Sequence, residues 1–149
     1  MPAPMTETPT RPLILLVDDD PVVRLTLARA LTDRGYEVRT AADGQAAITI
    51  LSGLKTLPAL AITDLEMAGV NGEDLARALV RRYPQLPVIF MTAYLAIYRT
   101  AYLPGPILEK PFHADQLCEL ISSVLTTASG LRAQDGSALA ADERPLARK

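Results

Sequence analysis

Five short hydrophobic runs constrain this chain more than any other feature: Leu13 to Val17, Tyr36 to Thr40, Ala59 to Thr63, Pro87 to Met91 and Ile107 to Glu109. The first, third and fourth are nearly continuous, the pattern of strands buried on both faces of a parallel sheet. In the second, Tyr36 and Val38 alternate with charged residues, as at a sheet edge. Helical patterns separate the runs. Asp20 followed by Pro21 reads as an N-cap with proline at the first helical position, and Val23, Leu27, Ala30 and Leu31 share one face before Gly35 ends the helix. Asp43 caps a second helix to about Ser52, where Gly53 stops it. A third runs from about Gly72 to Tyr83, with Leu75, Leu79 and Val80 inward and Pro84 closing it. Tyr94 to Leu103 has room for about two turns before Pro104-Gly105-Pro106 forbids continuation. Leu117, Leu120, Ile121, Val124 and Leu125 mark the last helix. The alternation predicts an α/β fold, a five-stranded doubly wound parallel sheet with helices on both faces and a shortened fourth helix.

The segment before the first run, residues 1–12, carries four prolines and little to bury, so a disordered arm is expected there, a single domain over residues 13–127, and a disordered tail over 128–149. Cys118 is the one cysteine, which excludes an internal disulfide and suits a reducing, cytoplasmic setting. The net charge of -2 argues against a large nucleic-acid footprint. No apolar run approaches the ~20 residues of a membrane span, and the N-terminus lacks the apolar segment of a secretory signal.

Four of the runs end in groups with useful chemistry: Asp18, Asp19 and Asp20 after the first, Asp64 after the third, Thr92 after the fourth and Lys110 after the fifth. Open α/β sheets place ligands at this carboxyl edge. If the strand order is 2-1-3-4-5, the first and third strands are neighbours and Asp19 faces Asp64. Carboxylates that close repel unless a cation intervenes. Mg²⁺ fits, since it prefers one or two carboxylates with water and phosphate oxygens; the cluster has no cysteine, which argues against Zn²⁺. A carboxylate can act as nucleophile in phosphoryl transfer if a metal, an opposing cation and a hydroxyl donor are present. Mg²⁺, Lys110 and Thr92 would supply these, with Asp64 accepting the phosphoryl group.

From about Leu13 to Thr127 the chain resembles a response-regulator receiver domain. The residues that carry the likeness are VDDDP at Val17 to Pro21, ITDLEMAGVNG at Ile62 to Gly72, PVIFMTA at Pro87 to Ala93 and EKPF at Glu109 to Phe112. The resemblance implies a flavodoxin-like order, 2-1-3-4-5. It implies Asp64 as phosphoacceptor, Asp18 and Asp19 as the acidic pair for Mg²⁺, and Asp64 and the Glu66 backbone carbonyl as further metal ligands. Thr92 would be the switch hydroxyl, Lys110 the phosphate-contacting base, and Lys110-Pro111 a cis peptide. The phosphodonor would be a sensor histidine kinase or a histidine phosphotransfer protein. Turnover of an outside substrate is not expected, only Mg²⁺-dependent self-phosphorylation from small donors and self-dephosphorylation. Residues 128–149 are too few for a DNA-binding output domain, so no direct DNA binding is expected and an unidentified downstream protein would receive the signal by contact or onward transfer.

The chain also departs from the family pattern. Ile107 stands where an aromatic switch residue is usual, and Met67-Ala68-Gly69 replaces MPG. Thr92 and Lys110 are 18 positions apart, short of the usual spacing by about one helical turn; stand-alone receivers with an altered fourth helix are similar here. Tyr94, Tyr98 and Tyr102 would share a face if this segment is helical. In the family, Glu66 and Tyr94 flank the path of water to the acyl phosphate; the ring would exclude water and the carboxylate orient it. Two competing functions follow: a pseudo-receiver that docks without phosphorylation, favoured by the altered switch, and a Mg²⁺-dependent phosphohydrolase in which Glu66 serves as acid/base, disfavoured by the absence of a cap domain. A flavin site is disfavoured by the acidic first turn. Plain roles suffice for Asp20 as a cap, His113 at the start of the last helix, Cys118 as packing and Arg81-Arg82 as solvated surface.

Overall fold

A computed structural model of the protein describes residues 11–67, 70–98 and 103–138. In chain order the elements are β1 (Leu13–Val17), α1 (Pro21–Asp33), β2 (Glu37–Ala41), α2 (Gly44–Gly53), β3 (Leu60–Asp64), a small hairpin of β4 (Glu66–Met67) and β5 (Val70–Asn71), α3 (Gly72–Arg82), β6 (Val88–Thr92), one 3-10 turn (Leu95–Tyr98), β7 (Ile107–Glu109) and α4 (Ala114–Ala138). The main sheet is parallel, in the order β2-β1-β3-β6-β7. Counting its own strands alone, that is the expected 2-1-3-4-5.

Strand alternation divides the core in two. Leu15, Val17, Ala61 and Phe90 point to one face and meet Ala47 and Leu51 of α2 and Leu75, Ala76 and Leu79 of α3. Ile14, Leu16, Leu60, Ile62, Ile89 and Met91 point to the other and meet Leu27 and Leu31 of α1 and Leu117 and Ile121 of α4. Both faces are covered, which is why β1, β3 and β6 read as unbroken apolar runs. Each large aliphatic side chain buried this way contributes about 1.5–3 kcal/mol.

The helix ends follow their sequence signals. Asp20 accepts from the backbone N–H of Val22 (2.9 Å) and Val23 (3.4 Å), and Asp43 from that of Ala46 (2.7 Å). Gly35, at φ +98°, closes α1: its N–H reaches the Thr32 carbonyl and that of Tyr36 reaches Leu31, the paired bonds of a Schellman motif. In α3, Glu73 and Asp74 open the helix and Arg81 and Arg82 close it, matching the helix dipole.

Several expectations need correction. Val80 is 41 % exposed and belongs to the outer face of α3, leaving Leu75, Ala76 and Leu79 as the buried stripe. The loop after Asp64 forms the β4–β5 hairpin, too short to show a strand pattern in sequence. The shortened fourth helix is a single 3-10 turn that starts after Tyr94; Tyr94 is exposed and Tyr98 half-buried, so these two do not share a face, and Tyr102 lies outside the described residues. The last helix continues to Ala138, into the stretch expected to be a disordered tail, because neither Gly130 nor Gly136 ends it; residues 139–149, like 1–10 of the expected arm, lie outside the described residues. Among the described residues no helix is long and apolar enough to cross a membrane.

Candidate functional site

Sheet register brings the site together. Val17 pairs with Thr63, Asp64 with Met91, and Thr92 with Glu109. Asp18 and Asp64 therefore sit level, Thr92 one residue further and Lys110 two, at the ends of four adjacent strands and all at the carboxyl edge. Backbone bonds continue the ladder past the strand ends, from Asp18 N–H to the Ala41 carbonyl (3.1 Å), from Leu65 N–H to Met91 (2.9 Å) and from Lys110 N–H to Thr92 (2.7 Å). Asp18 and Thr92 are fully buried, and Asp64 is 4 % exposed.

Lys110 joins the two buried carboxylates. Its Nζ donates to Asp18 Oδ2 at 3.2 Å and to Asp64 Oδ2 at 3.1 Å. The remaining oxygens are also used: Asp18 Oδ1 accepts from Asp20 N–H (2.9 Å) and Asp64 Oδ1 from Glu66 N–H (3.2 Å). Arg24 of α1 donates to the Asp18 backbone carbonyl at 2.7 Å, a contact no motif in the sequence marks. Burial pushes the Asp64 carboxyl above its ordinary value, with Asp18 adding to the rise, and the Glu66 N–H and Lys110 opposing it. Burial alone would lower the Lys110 ammonium, but the hydrogen bond and charge of Asp64, with the charge of Asp18, outweigh it and raise it. The peptide bond Lys110-Pro111 is cis.

Asp18, Asp19 and Asp64 each offer a carboxylate oxygen, and these atoms lie within 4.8 Å of one another. Asp18 and Asp64, both buried, pair with the Lys110 ammonium, and the exposed Asp19 adds a third hard oxygen donor beside them. A divalent cation with a preference for oxygen fits that donor set.

The far side of the site is organised by a side chain for which only a metal-ligating carbonyl and an acid/base or water-orienting part were foreseen. The carboxylate of Glu66 accepts from the Thr92 hydroxyl and from Ala93 N–H (3.1 Å). Thr92 Oγ1 in turn accepts from Tyr94 N–H (2.9 Å). Burial first, then the charge and hydrogen bond of Glu66, push the Tyr98 hydroxyl up to about 12. The only sequence signal for this arrangement was the carboxylate two residues after Asp64. His113 sits exposed ahead of α4, its N–H bonded to Gln116, and Cys118 packs at the edge of the α1–α4 core.

The family profile of the response regulator receiver domain matches residues 14–122. The chain belongs to that family. Among relatives of this receiver domain is the nitrogen assimilation regulatory protein NtrX of Azorhizobium caulinodans, 34 % identical over 123 residues, covering 76 % of this chain and 26 % of that protein. The sensor kinase CckA of Brucella abortus is 33 % identical over 116 residues, covering 75 % of this chain and 12 % of that one. The solved structure of response regulator protein TrrA from Thermotoga maritima in complex with Mg(2+)-BeF has a TM-score of 0.67 at 31 % identity, covering 76 % of this chain and 98 % of TrrA. The receiver spans about a quarter of the length of curated relatives such as NtrX.

Proposed function

We propose that this receiver is a phosphoacceptor that takes a phosphoryl group on Asp64 from a phosphohistidine of a sensor kinase or phosphotransfer protein, and signals by protein contact or onward transfer. The observation that carries this reading is the Asp64 carboxylate, buried at the sheet edge with Lys110 on one oxygen and the Thr92 hydroxyl on the next strand end. A carboxylate oxygen of Asp64 forms the bond to phosphorus as the phosphorus–nitrogen bond breaks, and the donor imidazole nitrogen leaves with the electron pair. Lys110 already stands against Asp64 and meets the negative charge of the transferred group without rearrangement.

Asp18, Asp19, Asp64 and the Glu66 carbonyl would hold Mg²⁺. When bound, the ion supplies positive charge to the phosphoryl oxygens. The TrrA complex, with its metal and fluoroberyllate, supports that assignment by likeness. The lone cysteine favours a cytoplasmic setting. The chemistry requires no substrate beyond the phosphodonor and water, so a signalling role rather than turnover of an outside substrate is the reading supported. Incubation with acetyl phosphate and Mg²⁺ tests it by intact mass. Wild type gains one phosphoryl group and Asp64→Asn does not; a wild type that gains none would make the chain a docking module of the same fold.

A further inference from the structure

Thr92 and Ala93 offer two donors at the end of β6, the strand paired with that of Asp64, and neither is free. The Thr92 hydroxyl proton and the Ala93 N–H both go to the Glu66 carboxylate. A hydroxyl has one proton to donate and a backbone amide has one, so neither can serve Glu66 and a second anion at full strength. Glu66 is anchored for the task. Its own N–H is held by Asp64 Oδ1 at 3.2 Å, which fixes its backbone at the end of β3 while its side chain crosses to the end of β6.

We propose that Glu66 is a positioning residue acting through Thr92: in the unmodified chain its carboxylate occupies the place of a phosphoryl group on the Thr92 and Ala93 donors, and modification of Asp64 must displace it. This rests on the reading of Asp64 as phosphoacceptor. Two features give the displacement a direction. A phosphoryl group on Asp64 brings about two negative charges beside the Glu66 carboxylate, and like charges that close repel. The Thr92 oxygen is meanwhile held from behind by Tyr94 N–H (2.9 Å), so the hydroxyl can turn its proton to a new acceptor without losing that bond. Glu66 thus sets a threshold: the donors are prepaired with an anion, and an incoming one must outcompete it. The Tyr98 hydroxyl, pushed up by burial and then by the charge of the same carboxylate, lies in the 3-10 turn.

The test uses the full chain, with Glu66→Ala and Glu66→Gln, which both keep the backbone carbonyl. Titrated with beryllofluoride in the presence of Mg²⁺, Glu66→Ala binds about tenfold tighter than wild type, the scale of one charge-assisted hydrogen bond no longer competed for. Glu66→Gln, which keeps an acceptor and loses the charge, falls between. The gain shrinks when Thr92→Ala is present in both proteins, because the effect passes through that hydroxyl. In metal-free protein, the Ala93 amide exchanges faster in Glu66→Ala than in wild type. Equal beryllofluoride affinity in wild type and Glu66→Ala, or a gain unchanged in the Thr92→Ala background, overturns the proposal. If wild type takes phosphoryl from acetyl phosphate normally in that case, only the role of Glu66 fails. If wild type takes none, the phosphoacceptor reading fails and this one with it.

Discussion

Lys110→Met is the most informative perturbation of the unmodified site. Methionine keeps the length of the stem and removes the ammonium that joins Asp18 and Asp64 at 3.2 and 3.1 Å. At an effective dielectric of about 20, each contact has a gross attraction of about 5 kcal/mol, most of it offset by desolvation. Removing one partner of a buried pair costs about 3–5 kcal/mol. Here Lys110 keeps 24 % of its side-chain exposure, and Asp64 can escape part of the penalty by taking a proton, so a loss of about 2–3 kcal/mol at pH 7 is expected. The pH dependence follows from the same group. Asp64 already has a raised pKa in the fold, and losing Lys110 raises it further. Between the unfolded carboxyl value, about 3.9, and the higher folded value, the native state binds more protons than the unfolded one. Stability then falls as pH rises through that window and is flat above it. The deficit of Lys110→Met is therefore small near pH 4 and largest at neutral pH. Urea unfolding of both proteins in EDTA from pH 4 to pH 8 measures it, and Mg²⁺ should recover part of the loss at pH 7. A deficit equal at pH 4 and pH 7 would refute the electrostatic account.

Two further perturbations separate metal from scaffold. Asp19→Ala should weaken Mg²⁺ binding at least tenfold, on the scale that changes around a metal site produce, with the metal-free fold retained; an unchanged affinity in a metal titration removes Asp19 from the ligand set. Gly105→Ala should destabilise by about 1–3 kcal/mol or more in urea unfolding, because a Cβ there would lie 2.0 Å from the Val88 carbonyl oxygen; wild-type stability would mean that the Pro104-Gly105-Pro106 crossing of β6 is loose.

The parts of the fold that were legible in sequence are those in which one interaction dominates. β1, β3 and β6 are buried on both faces, so their composition alone marks them, and a polar residue at each end then marks the sheet edge. Asp20 and Asp43 cap because a side-chain oxygen finds an adjacent orphan N–H, which is local chemistry. Asp18, Asp64, Thr92 and Lys110 were legible for the same reason: parallel register turns position along each strand into proximity across strands. What escaped depends on side-chain direction. Val80 fits the apolar period of α3 yet faces out, since the stripe needs Ala76 to approach the sheet closely. Glu66 reads as a metal-ligating carbonyl with a carboxylate beside the path of water, and nothing in its neighbours says that its side chain turns to β6. Tyr98 shares a face with Tyr94 only if the segment is α-helical, and three residues per turn place it elsewhere.

That last difference bears on how a change at Thr92 would leave the site. Ile107 opens β7 opposite Phe90, and it packs with Tyr98 and Leu103 against the core on the α2–α3 side. The aromatic ring beside this edge thus comes from the turn before β7, and not from β7 itself. A ring carried by a strand is tied to the sheet, so its motion is confined to rotation about its own bonds. Tyr98 is carried by a single 3-10 turn that begins with a bond from Ile97 N–H to the Tyr94 carbonyl (2.9 Å). Short turns with few buried contacts open at low free energy. The turn adjoins the site at two points, at Tyr94 N–H on Thr92 Oγ1 and where the Glu66 charge acts on the Tyr98 hydroxyl. Displacing Glu66 would remove the second while the first is kept, so the turn would pivot about Thr92. Tyr94 and Ile97, 58 % and 68 % exposed, are the apolar surface this motion would carry. The same carboxylate that holds the donors in the unmodified chain is, on this account, the charge that acts on the element presenting that surface.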